Sequence, residues 1–164
     1  MRELFLLLVA LTVHECGHML VASALSIPVR SFNICSVGAV LSFDFSRVGY
    51  VKETVVHLSG AAFGAVFGIV AYLIFGGRAY YFTGLSLALS AVNLLPVAGF
   101  DGEGVARCIL SLFLFPDTVW RICRVMSVCS IVALWTTILW IELRAGGNLG
   151  LLIFIIGIML GKMK

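Results

Sequence analysis

Charge is what this sequence has least of. Only 12% of its 164 residues are Asp, Glu, Lys or Arg, whereas 62% are hydrophobic, and the mean hydropathy is +1.14. Soluble domains carry about 25% charged and about 45–50% apolar residues. There is too little polar surface here to cover a water-soluble fold, which leaves an integral membrane protein as the class. The length accommodates about five or six spans of roughly 20 residues each in one membrane-embedded unit, residues 1–164, with no separate soluble domain. The net charge of +3 sits singly between apolar runs, as topology markers do, so no nucleic-acid partner is expected.

Cysteine patterning is also lacking. Cys16, Cys35, Cys108, Cys123 and Cys129 are odd in number and show no C-x-x-C spacing. They read as small buried hydrophobes and exclude a disulfide framework. Repeats, low-complexity tracts and linkers are absent too. At the N-terminus, Arg2, the apolar run from Leu4 and Ala22-Ser23-Ala24 imitate a signal peptide. Ionisable residues at 14, 15 and 18 interrupt that segment before any cleavage point, so it is expected to stay in the chain.

What is present is a series of apolar runs. The first, about Leu4 to Leu25, ends before Pro28 and suits a spanning helix. Residues 29–52 interleave charged and polar side chains with Val, Phe, Ile and Gly. Partial alternation from Val37 to Phe45 predicts a short hairpin or re-entrant element near residues 31–50. A second helix, about Thr54 to Phe75, carries Gly60, Gly64 and Gly68, small residues that let backbones approach closely. A turn at Gly76-Gly77-Arg78 leads to a third run, Tyr80 to Val97, whose far end Pro96, Gly99 and Gly102 should unwind. A shorter segment to Phe115 and two runs, about Val119–Leu143 and Leu149–Gly161, follow. With the N-terminus outside and the C-terminus in the cytoplasm, eight Lys and Arg lie inside and three outside, as the positive-inside rule requires. Tyr80, Tyr81, Trp120 and Trp140 fall near span ends, as interfacial aromatics do.

Within the first helix stands His14-Glu15-Cys16-Gly17-His18, an H-E-x-x-H pattern. Positions i and i+4 share one helix face, so both imidazoles can reach one Zn²⁺ while the intervening Glu approaches the water it activates. Such a metal polarises a carbonyl and lowers the pKa of its water to about 7. Glu15 would then take that water's proton and return it to a leaving amine. By ordinary residue usage the pattern arises by chance in roughly one of a few hundred soluble chains of this size. Three ionisable residues within a membrane helix are harder to dismiss, because there they require partners or a function.

A catalytic zinc needs a third protein ligand and an open position. His57, Asp44, Asp101, Glu103 and Glu53 are the candidates. Asp101 follows a charge-free run and sits where Pro96, Gly99 and Gly102 permit sharp turns. It reads equally as that ligand or as a helix N-cap with Glu103 in the first turn.

The pairing of His14-Glu-Cys-Gly-His18 with Asn93-Leu-Leu-Pro96-Val-Ala-Gly-Phe-Asp101-Gly102, both in hydrophobic segments, resembles the site-2 protease family of intramembrane zinc metallopeptidases. The resemblance covers a three-helix core, roughly residues 1–110, with accessory helices over 111–164. In size and plan the chain is similar to the stage IV sporulation protein FB-like branch. The resemblance implies that His14, His18 and Asp101 bind Zn²⁺, that Glu15 is the catalytic acid and base, and that Asn93 helps hold the substrate or transition state. It implies transmembrane protein substrates within a lipid bilayer, a bacterial cytoplasmic membrane as the setting, and separate regulatory membrane proteins. The strand region near Val37 to Phe45 would offer an edge to an unfolding substrate, or else form a plain surface hairpin. One departure is that Gly60-Ala61-Ala62-Phe63-Gly64 lacks the Pro and Asn of the G-P-x-x-N-like stretch in many members.

Other polar residues carry blander expectations. His57 reads as an interfacial side chain in preference to a partner of the metal ligands, Asp44 and Arg47 as a solvated turn, and Glu142 with Arg144 as a span end. The rival to a peptidase is a non-enzymatic membrane protein that binds or transports metal. Transporters usually show related repeats, and none is visible here.

Overall fold

The computed structural model describes residues 2–35 and 38–145. The last apolar run, from Leu149, lies outside them. Helix α1 (Arg2–Ala24) is followed by strands β1 (Val29–Cys35) and β2 (Gly38–Phe43), then helix α2 (Tyr50–Phe75). A 3-10 turn (Gly76–Ala79) joins α2 to α3 (Tyr80–Asn93), and α4 (Asp101–Ser111) and α5 (Pro116–Ala145) complete the described chain.

Among the described residues, three helical stretches are apolar and long enough to cross a membrane: Arg2–Ala24, Tyr50–Asn93 and Pro116–Ile141. The second is two helices. Gly76, at φ 58°, adopts a backbone that favours glycine and ends α2. The chain then turns back, so that Thr83 Oγ1 donates to the Gly68 carbonyl at 2.8 Å. Gly64 faces Ser90 and Gly68 faces Ser86, the order expected of antiparallel neighbours. The small residues on α2 thus serve the close packing expected of them. α2, with 26 residues, is about 39 Å long, whereas α3 at 14 residues reaches only about 21 Å. The 11 residues of α4 cover about 16 Å, short of the roughly 30 Å hydrocarbon core. The segment after Asp101 is therefore a half-helix.

The expected hairpin forms as a two-stranded antiparallel sheet, with Val29 opposite Phe43, Cys35 opposite Gly38, and an irregularity between Val29 and Ser31. It packs on the helices through a small apolar cluster. Ala22, Ile27 and Val56 are buried there, with Val21, Leu25, Phe43, Phe45 and Val48 against them. This cluster joins the end of α1, the base of the hairpin and the start of α2, and so sets how α1 crosses α2. Asp44 and Arg47 are exposed beyond the hairpin as expected, and Asp44 accepts the Ser46 amide at 3.0 Å. Hydrogen bonds from Ser46 hold the Asp44 carboxyl below its usual range.

α5 packs against α4 and begins with Pro116 in its first turn, where proline's missing N–H leaves no bond unmade. Arg124 lies over the Trp120 ring at 3.5 Å and Arg144 over Trp140 at 5.0 Å, which ties both aromatics to cations as at an interface. The cysteines only partly match their reading: Cys108 and Cys123 are buried, but Cys16 and Cys129 are exposed. Both of the latter lie on helix faces that no other described element covers.

Candidate metal centre

His14 and His18 stand one turn apart on α1, nearly edge-on at 79° with ring centroids 4.9 Å apart. Both are buried, at 3% and 6% exposure, although their helix is mostly apolar. Their Nε2 atoms approach to 3.2 Å. Asp101, in the first turn of α4, brings Oδ2 to 3.0 Å from His14 Nε2 and 3.2 Å from His18 Nε2. The three atoms form a near-equilateral triangle. Among the described residues this is the group that could hold a metal ion.

The triangle fits zinc. Tetrahedral bonds of about 2.0–2.1 Å to nitrogen and oxygen place ligand atoms about 3.3–3.4 Å apart. The observed separations fall just inside that. Tautomers agree as well. His18 Nδ1 lies 2.8 Å from the Val56 carbonyl. A carbonyl only accepts, so Nδ1 carries the proton and the Nε2 lone pair of neutral His18 faces the cluster, as in metal-bound histidines generally. His14 Nδ1 is buried without a hydrogen-bond partner among the described residues.

The backbone of α2 closes the site from behind. A Cβ on Gly60 would run into His18 Nε2 and Cε1 and His14 Nε2. A Cβ on Gly17 would meet Phe63 Cβ and the Ser59 carbonyl, each at 2.8 Å. The α1–α2 crossing therefore needs glycine on both helices, and the G-A-A-F-G stretch meets that need without Pro or Asn. Glu15, next to His14 on α1, is half-buried.

Asp101 is not the N-cap of α4; Phe100 holds that position, with no side-chain cap. The Asp101 side chain is thereby free to face the imidazoles. Glu103 reaches back instead, its Oε2 accepting the Gly99 amide at 2.9 Å, which steadies a loop where Gly99 has φ 82°. The same loop is held from α5, where buried Ser127 Oγ accepts the Ala98 amide at 2.9 Å. Asn93, the last residue of α3, is half-buried at the loop's other end. It takes no part in the hydrogen bonds and ion pairs that join His14, His18 and Asp101.

The remaining candidate ligands separate clearly. Asp44 stays at the hairpin. Glu53 is buried on α2 and accepts Arg107 NH2 at 3.0 Å. His57 departs from its interfacial reading: its Nδ1 lies 3.7 Å from Asp101 Oδ1 and its Nε2 3.9 Å from Glu53 Oε1. The reason is helical phase. Residues 53, 56, 57 and 60 share one side of α2, and Val56, Gly60 and Glu53 on that side are buried. The i, i+4 spacing of Glu53 and His57 was the signal that could have linked them.

A model of Peptidase family M50 matches residues 3–78, a stretch that holds His14, Glu15 and His18 and stops short of Asp101. In three dimensions the chain is similar to "Site-2 Protease from Methanocaldococcus jannaschii", with a TM-score of 0.68 and 22% sequence identity over 93% of this chain and 71% of that one. At that identity the likeness is one of fold. No curated protein matches the sequence, and neither match distinguishes a branch within the family.

Proposed function

We propose that this chain is a zinc-dependent intramembrane endopeptidase that cuts transmembrane segments of other membrane proteins. The observation that carries the reading is the convergence of His14, His18 and Asp101 within helices apolar enough to lie in a bilayer. The family match over residues 3–78 and the shared fold support it.

His14, His18 and Asp101 would hold the metal and leave a fourth position open. Zinc, when bound, supplies a Lewis acid that polarises the scissile carbonyl and makes water more acidic. Glu15, next to His14 on the same helix, accepts the attacking water's proton and hands it to the leaving amine. Asn93 hydrogen-bonds the substrate backbone. Water reaches the site along Asn93, Asp101 and the irregular backbone around Gly99, since non-helical backbone at membrane depth is tolerated where it lines a wet cavity. A helix hides its own amides, so a substrate must be extended before it is cut. Pairing with an edge of the β1–β2 hairpin would stabilise that extended form. The substrate is therefore a membrane-embedded helix, and partners that govern access are separate membrane proteins.

The distribution of Lys and Arg supports an N-terminus outside a cytoplasmic membrane, and a reporter fused there that works only in the cytoplasm would reverse the orientation. For the activity, the test is Glu15→Gln with a co-expressed membrane substrate. Loss of cleavage is expected, and undiminished cleavage refutes the role of Glu15. Metal flux in proteoliposomes without peptidase activity would favour the transport alternative.

A further inference from the structure

The two oxygens of Asp101 have different neighbours. Oδ2 faces the imidazoles of His14 and His18 at 3.0 and 3.2 Å, while Oδ1 faces His57 Nδ1 at 3.7 Å. That last separation is longer than a hydrogen bond, a close polar approach from the side of α2. On its other side, His57 Nε2 is buried without a hydrogen-bond partner among the described residues, and Glu53 Oε1 is its closest carboxylate oxygen at 3.9 Å. The imidazole thus lies between two carboxylates.

Its orientation is constrained. Phe45 stands over the ring at 5.5 Å between centroids, and a Cβ on Gly104 would collide with the ring's Nε2, Cε1 and Cδ2. Glu53 is constrained in turn: it is buried, and Arg107 NH2 donates to Oε1 at 3.0 Å. Arg107 itself is half exposed, so its charge keeps contact with solvent. A line of contacts runs from Arg107 through Glu53 and His57 to Asp101, crossing twice between α2 and α4.

We propose that His57 is a positioning residue for the metal centre: its polar edge draws Asp101 Oδ1 to the α2 side, so that Asp101 offers Oδ2 alone as a ligand, and Glu53 with Arg107 keeps His57 in place. This rests on the metal-site reading above. A carboxylate with both oxygens free can swing to bind a metal through either or both. One whose second oxygen is drawn to the far side presents a single atom, which keeps the coordination number low and the fourth position open for reaction. Partners of this kind are worth about 10- to 100-fold in metal affinity.

The experiment uses the full chain purified in detergent, with zinc affinity measured by chelator competition. His57→Phe keeps a ring between Phe45 and Gly104 and removes both nitrogens. It is expected to weaken zinc binding by about 10- to 100-fold while helical circular dichroism and Tm stay near those of the wild type. His57→Asn, whose amide nitrogen sits close to where Nδ1 sits, should restore part of the loss. With Co²⁺ in place of zinc, His57→Phe should weaken the visible d–d bands, as a rise from four to five ligands does when Asp101 binds through both oxygens. Zinc affinity within about twofold of wild type in His57→Phe, far less than such partners contribute, together with an unchanged Co²⁺ spectrum, overturns the inference. Should His57→Phe fail to fold, Glu53→Gln decides: weaker zinc binding supports the line of contacts and unchanged binding refutes it. A wild type that takes up no zinc would instead sink the metal-site reading, and the inference with it.

Discussion

Gly60 gives the sharpest test of how the two helices build the centre. Replacing it with Ala adds one methyl group and removes no ligand. That methyl would lie 2.6 Å from His18 Cε1 and 2.8 Å from His14 Nε2, about 0.7–0.9 Å inside ordinary contact distances of roughly 3.5 Å. The rings have little room to retreat, because His18 is tied to the Val56 carbonyl at 2.8 Å and His14 is buried. Overpacking of this kind costs about 1–3 kcal/mol. If the strain is relieved by displacing the ligand nitrogens, zinc affinity falls by about 5- to 150-fold, the same range converted at 1.4 kcal/mol per decade. Zinc retained against graded chelator, read beside Tm, measures both routes of relief. Gly84→Ala is the control, since a Cβ there meets nothing within 4 Å. A Gly60→Ala protein with wild-type zinc affinity and wild-type Tm would refute the close α1–α2 approach.

Three further outcomes are expected. Glu15→Gln should lower cleavage by about 10²- to 10⁴-fold and leave zinc content intact; loss of zinc would instead make Glu15 part of the metal's support. Asp101→Ala removes the proposed third ligand and should weaken zinc binding beyond the about 10- to 100-fold typical of a supporting residue, with equilibrium dialysis as the check; full retention would remove Asp101 from the site. Ser127→Ala removes the side-chain acceptor of the Ala98 amide and should lower stability by about 0.5–1.5 kcal/mol. It should also reduce kcat/KM, because the loop between Asn93 and Asp101 loses its tie to α5; an unchanged Tm and unchanged kinetics would show that Glu103 suffices.

Some of this could be read without coordinates. Scarcity of charge places the chain in a membrane, because each unpaired polar group in hydrocarbon is costly. The i, i+4 spacing puts His14 and His18 on one face with Glu15 beside them, since local geometry alone decides that. Pro96 and Gly99 forecast the break before α4, and alternation forecast the hairpin. Other features depend on contacts between residues far apart in sequence. The His14–Asp101 approach spans 87 positions, and by spacing alone Asp101 was as good an N-cap as a ligand. Only the docking of α4 against α2 aims its carboxylate at the imidazoles. The same docking turns His57 from an interfacial histidine into the neighbour of Asp101 Oδ1, because rotational phase about α2 is set by what packs on it. Gly60 looked like one small residue among several until the crossing of α1 put two ring nitrogens against it. Sequence by itself determined the class of environment and the shared face of His14 and His18; tertiary structure decided which distant carboxylate meets them and what stands beside it, because helix packing chooses which distant side chains share a site.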